Sequence, residues 1–304
     1  MSHFTVAVIT KGKPSIEDIE NKLAPYQENN MDDCPKEYLK FYDYEEYRED
    51  YETKETEAYK LADGKIKKYL DEKEKEGAEI ITISFRKLYD TFEQYLDEYQ
   101  GAPYDEEMQK YGYWFNPNAK WDWWQIGGRW AGLLRLPIEV THEDLMNDKE
   151  LDYAIGEKSF LLENDPYKSD KYIKADIARI KDIIIKPDEE RVNYYRLFWE
   201  LKIEDRPAVN EKEIEIKNEA MWYKKEYYID KYKTKENFIE MSTTFSTWAF
   251  IDKEGKWHEP GEMGCFAISN ASPEDEEHYI KNYKSMVFNN TDDDDYLTIV
   301  DCHI

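Results

Sequence analysis

A chain of 304 residues, 40 % apolar and 15 % aromatic, carries enough hydrophobic material for a folded core and is too aromatic for low-complexity disorder. Its net charge of −26 repels phosphate backbones, which argues against direct nucleic-acid binding; it either steers basic protein partners or serves solubility alone. No run approaches the ~20 apolar residues of a membrane span, FTVAVI is too short for a secretion signal, and three cysteines without a CxxC (Cys34, Cys265, Cys302) fit a reducing, cytoplasmic setting.

In chain order, HFTVAVIT reads as a β-strand rich in β-branched residues. PSIEDIENKLAPY reads as a short helix, opened by Pro14 and Ser15 and closed by Pro25. Residues 36–110 are charged and tyrosine-rich. Tyr44, Tyr47 and Tyr51 have helical spacing, as do Leu88, Phe92, Tyr95 and Tyr99, so the stretch is predicted mainly helical; AEIITIS within it fits a strand or a helix start. GYWF and KWDWWQIGGRW flank the turn-rich tract NPNAK and predict two strands joined by that turn.

Residues 138–243 return to a charged helical pattern. YIKADIARIKDIII places Ile173, Ile177, Ile180 and Ile184 on one helix face, and RVNYYRLFWELKI and EAMWYKKEYYIDKY are aromatic and amphipathic. STWAFID and KWHEP are predicted to form a hairpin around Gly255, with GCFAIS as a third strand. SPEDEEHYIKNYKSMVF has clear helix-start signals: Ser272 as cap, Pro273 at the first position and Asp275 completing a capping box. YLTIVDCHI is the final predicted strand.

The expected fold is therefore α+β: one mixed or antiparallel sheet core made from 1–35, 111–137 and 244–304, with helices and two charged, mainly helical insertions, 36–110 and 138–243. MSHFTV, LAPYQENNMDDCPKEYL, NPNAKWDWWQIGGRW, WHEPGEMG and LTIVDCHI together resemble a protein family of bacteriophages, prophages and some bacteria. The resemblance spans roughly residues 1–42, 111–132 and 244–304. It implies a phage or mobile-element context and no catalytic assignment. GEMGCF departs from the family pattern around Cys265, which is set aside as a functional residue.

Residues 114–130 hold five of the nine tryptophans. On a strand, Trp121 and Trp123 would share one face, Gly127 and Gly128 would permit close approach, and Arg129 could pair with a carboxylate or phosphate. Such a pocket suits a nucleotide or another planar anion; the same residues also fit a tryptophan-rich core, with Arg129 paired to Asp122 or buried against Glu262. No Gly-rich phosphate loop occurs.

Two further chemistries are carried as candidates. A thiol site would use Cys34 with His303 as base and Asp301 or Asp33 as orienter, since Cys302 and His303 face apart on a strand. A metal site would draw on His258, Glu259 and Glu262 with His3, Asp301 and His303, although HEPGE is no helical HExxH. TDDDD lacks the spaced ligands of a calcium loop.

Two functions remain open on these residues. One is a phage protein that binds a host protein and inhibits it, for example a defence nuclease or its DNA-binding surface. The other is a nucleotide- or small-anion-binding protein or enzyme with a Trp/Arg/His-lined pocket. The cofactor and the oligomeric state, a homo-oligomer included, stay unassigned.

Overall fold

In the computed structural model, which describes residues 2–71, 75, 77–140, 169–264 and 269–304, the chain divides into two compact units: Met1–Gln27 with Lys120–Ile304, and Glu28–Ala119. The first unit opens with β1 (His3–Lys11). The second holds β2 (Lys40–Asp43), β3 (Glu55–Lys60), β4 (Ile66–Lys67), β5 (Glu79–Ser84), β6 (Tyr104–Asp105) and β7 (Lys110–Phe115). The chain then returns to the first unit with β8 (Trp123–Ile126), β9 (Leu134–Leu136), β10 (Ile173–Ala175), β11 (Ile177–Arg179), β12 (Ala249–Ile251), β13 (Trp257–His258) and β14 (Asp295–His303).

The main sheet has the order β11–β14–β1–β12–β13, and β8 also pairs with β14. β1 runs antiparallel to β14 and parallel to β12, so the sheet is mixed and the class is α+β. β1 and β14 are central, which explains their near-continuous apolar character: a strand covered on both faces has no solvent side. One face packs Phe4, Val6, Val8, Val300 and Cys302 on Ile19 and Leu23 of the first helix, Ile16–Leu23. The other packs Ala7, Ile9, Phe250, Leu297 and Ile299 on Tyr279, Tyr283 and Val287.

Both helix-start signals form as expected. Ser15 with Asp18, and Ser272 with Asp275, make complete capping boxes on Ile16–Leu23 and Pro273–Tyr283. The turn at Gly255 forms, with φ +85, between β12 and β13. The expected strand GCFAIS falls largely outside the described residues; Met263 and Ser269 on either side form an isolated antiparallel bridge.

Several expectations are corrected. NPNAK does turn, with the Asn116 side chain accepting from Asn118 N at 2.9 Å, but its flanking strands do not pair with each other. β7 joins β2 and β6, and β8 joins β14. A local turn signal specifies reversal, not partner. The core segment 111–137 accordingly divides between the units.

The isoleucine stripe at 173–184 is not a helix but β10, β11 and the tight turn Ile180–Asp182. Steps of four, three and four favour a helix, because a step of three changes face in a strand; the chain instead breaks at Asp176 between β10 and β11, and the β-branched content is the signal that points to strands. β11 joins the main sheet, so 138–243 is not wholly an excursion from the core. Its described helices include Glu189–Phe198, Glu211–Asn218, Lys225–Tyr232 and Lys235–Thr243.

The stretch 36–110 also carries strands β2 to β6 beside its helices. The stripe Leu88, Phe92, Tyr95 and Tyr99 does lie in one aromatic cluster with Tyr51, Phe85 and Tyr89, though on successive short turns of helix. Among the described residues no helix is long and apolar enough to cross a membrane.

Candidate functional site

The register of the main sheet sets three side chains in a row at one end. His3 of β1 lies opposite His303 of β14, and His303 lies opposite Trp123 of β8. The next row on that face is Thr5, Asp301 and Gln125, because directly opposed antiparallel residues share a face.

Each histidine is held by its own carboxylate. His3 Nδ1 is 2.8 Å from Asp301 Oδ1, and His303 Nδ1 is 2.6 Å from Asp122 Oδ1. A carboxylate only accepts, so Nδ1 carries the hydrogen in both rings; in the neutral imidazole this leaves the Nε2 lone pair of each unclaimed by that bond. The rings meet edge to face with centroids 5.0 Å apart, and Trp123 stands edge to face with His3 at 6.2 Å. His303 Nε2 is enclosed and has no hydrogen-bond partner among the described residues.

The double glycine is explained by two buried acids. Gly127 and Gly128 have φ of +65 and +54. A Cβ on Gly127 would overlap the Asp176 carboxylate, and one on Gly128 the Asp301 carboxylate. Asp301 is 1 % exposed and its Oδ2 accepts from the backbone N–H of Arg129 at 2.9 Å. Asp176 Oδ1 accepts from Gly132 N at 2.6 Å. The GGR turn is thus folded around two carboxylates, and one of them orients His3.

The predicted ligand residues separate. Trp123 is 48 % exposed beside His3, and the Arg129 side chain is exposed on the adjoining turn. Trp121 is a correction: it is buried in the core on the first helix, donating Nε1–H to Leu23 O at 3.1 Å. It precedes β8, so strand alternation with Trp123 does not apply. Glu262 is also corrected: it and Arg129 are both exposed and form no ion pair among the described residues. Asp122 pairs with His303, not with Arg129.

The thiol arrangement gains no support from either unit. Cys34 belongs to the second unit, where it is buried with the Asn116 amide 3.9 Å from its sulfur, and burial pushes its thiol up. His303 belongs to the first unit and is engaged with Asp122. Cys302 does face away from Asp301 and His303, into the core, where complete burial raises its thiol well above the ordinary value. Cys265 lies outside the described residues.

His258 sits elsewhere on the sheet. Its Nε2 is 2.7 Å from Asp252 Oδ2, its ring stacks on Phe250 at 4.4 Å, and it lines a 420 Å³ cleft with Lys120, Glu259, Asp275, His278 and Tyr279. Glu259 is committed to Lys120 at 2.7 Å and to Trp257 Nε1 at 2.8 Å. The proposed gathering of His258, Glu259 and Glu262 with His3 and His303 does not form. Among the described residues no three His, Cys, Asp or Glu side chains make a metal-ligand group.

Sequence reasoning named His3, Asp301 and His303 as additional ligands for His258, Glu259 and Glu262, and missed that the two histidines face each other. The only signal of that pair is a histidine near the outer end of each of the two most strand-like runs, HFTVAVIT and LTIVDCHI, and it becomes readable once those runs are paired antiparallel. No family model, curated protein or solved structure matches the chain.

Proposed function

We propose that the protein binds a small anion of nucleotide type at the His3–His303 end of the main sheet and acts on it by chemistry centred on these histidines. The observation that carries this reading is the doubled carboxylate–imidazole arrangement, His3–Asp301 and His303–Asp122, with ring centroids 5.0 Å apart. Orienting one ring nitrogen with a carboxylate prepares the other for proton transfer or ligation, and a purely structural strand end needs no such pair. Exposed Trp123 supplies a stacking surface, and exposed Arg129 a charge that attracts an anion to an otherwise acidic molecule. The test is a thermal-shift and turnover panel of nucleoside mono-, di- and triphosphates and cyclic nucleotides. Saturable stabilisation that Arg129→Ala abolishes is expected; no stabilisation and no turnover with any of them refutes the reading.

A second reading has its own observation. Val209, Ile214, Trp222, Tyr223, Tyr227 and Ile229 are all exposed within one short stretch, and Trp222 is 93 % exposed. Together with the net charge of −26, and in the phage context that the resemblance implies, this favours an acidic protein that engages a host protein, with inhibition of a defence nuclease as its outcome. Salt-sensitive capture of a partner that Trp222→Ser weakens would support it. Self-association through the same stretch would appear instead as a concentration-dependent sedimentation coefficient.

A further inference from the structure

We infer that His3 and His303 hold one first-row divalent metal ion, of the zinc class, through their Nε2 atoms. The inference deepens the reading of the same site given above, but metal binding is measurable without any anion.

Three observations converge on it. First, both Nδ1 atoms are tied to carboxylates, at 2.8 and 2.6 Å. Metal-ligating histidines are oriented in this way: the carboxylate fixes the tautomer, aims the ring and makes Nε2 more basic. Second, His303 Nε2 is buried with no hydrogen-bond partner among the described residues. A buried imidazole nitrogen without a partner is costly, and a metal bond would satisfy it.

Third, the ring separation fits. With a metal–nitrogen bond of ~2.0–2.1 Å, an imidazole centroid lies ~3.2 Å from the ion, and two such rings at a tetrahedral angle stand ~5 Å apart. The observed separation is 5.0 Å, which such an ion would accept and which edge-to-face packing of the two rings also gives.

Charge supports the same conclusion. Asp301 and Asp122 together bring two negative charges behind the imidazoles, matching a divalent cation, and the molecule's net charge of −26 concentrates cations around it. No third ligating side chain joins the pair among the described residues, and His303 Nε2 is enclosed, so water or a bound anion would reach the ion from the partly exposed His3 side. Such an incomplete shell is the form a working site takes, in contrast to a closed structural one. Trp123 stands beside His3, and exposed Arg129 lies on the turn whose backbone N–H donates to Asp301, so both are available to an anion bound there.

The experiment uses the full chain, stripped with EDTA and dialysed. Zn2+ is titrated calorimetrically and Co2+ by visible absorption, at low and at moderate salt. One ion per chain is expected, with a Co2+ spectrum of low-coordinate N/O type, and the site is lost in His3→Gln and in His303→Gln. Near-UV circular dichroism checks that both variants are folded. Zn2+ should also slow modification of His3 by diethyl pyrocarbonate in the unsubstituted chain, a readout that needs no variant. Three results would overturn the inference: only multiple weak, salt-sensitive sites; a single site that survives the His3→Gln/His303→Gln double variant; or His3 modification unchanged by Zn2+. Nucleotide binding is measured separately, with EDTA and with Zn2+. A protein that takes the metal and no nucleotide sinks the anion reading alone, and one that takes nucleotide and no metal sinks this inference alone.

Discussion

His3 and Asp301 lie 298 positions apart in the chain and share a 2.8 Å hydrogen bond, on neighbouring central strands of one sheet. The acid is 1 % exposed, and its second oxygen fixes the turn that carries Arg129. One buried carboxylate therefore ties the start of β1, the end of β14 and the glycine pair into a single arrangement.

Gly128→Ala tests that arrangement. The new Cβ would meet the Asp301 carboxylate, and φ of +54 is unfavourable for alanine. Destabilisation of about 2 kcal/mol or more is expected from strain and overpacking together. Urea denaturation measures it; a change under about 0.5 kcal/mol would show that Asp301 does not occupy the space beside Gly128.

The sheet core and the exposed aromatic stretch should respond in opposite ways. Tyr283 is 0 % exposed and Trp222 is 93 % exposed. Tyr283→Ala should cost roughly 3–5 kcal/mol and Trp222→Ala no more than about 0.5 kcal/mol. Denaturant midpoints of the two variants decide this, and equal effects would contradict the packing described.

Cys302 should be inert in the folded protein. Complete burial raises its thiol well above the ordinary value, so little thiolate forms at pH 8 and no reagent reaches it. Iodoacetamide followed by peptide mapping should leave Cys302 unmodified until denaturant is added. Rapid labelling of the native chain would place β14 at an accessible position, contrary to the sheet order.

The helix cap at Ser272 gives a pH dependence with a definite sign. Hydrogen bonds from Ser272 hold the Asp275 carboxyl below the ordinary aspartate value of 3.8. A lowered folded-state pKa contributes stability that is present above 3.8 and lost as pH falls through the lower, folded value. The difference in melting temperature between the parent chain and Asp275→Ala should thus be largest near neutrality and shrink as the solution is acidified below 3.8. A difference that grows on acidification would reverse the assignment.

What could be read from the sequence follows from the range of each signal. Ser15 and Ser272 act on backbone groups within three residues, so their caps were legible. β1 and β14 were legible because strands covered on both faces are apolar throughout. Partner choice was not. Nothing near Asn116–Lys120 says that Phe115 pairs with Lys40 while Trp123 pairs with His303. The same limit hid the histidine pair: Asp301 and His303 were rightly placed on one face, but the residue opposite them came from the far end of the chain. Trp121 was misplaced because alternation was extended two residues beyond the start of β8.

The position of β1 has a consequence for biosynthesis. Its two neighbours, β12 and β14, begin at Ala249 and Asp295. At about 5–20 residues per second, β1 waits tens of seconds after leaving the ribosome before either partner exists. During that interval a strand destined to be covered on both faces stays unpaired, while Glu28–Ala119 can close on itself. Nascent chains of this protein should therefore depend on a holdase bound near the amino terminus, and expression at lower temperature should raise the soluble yield.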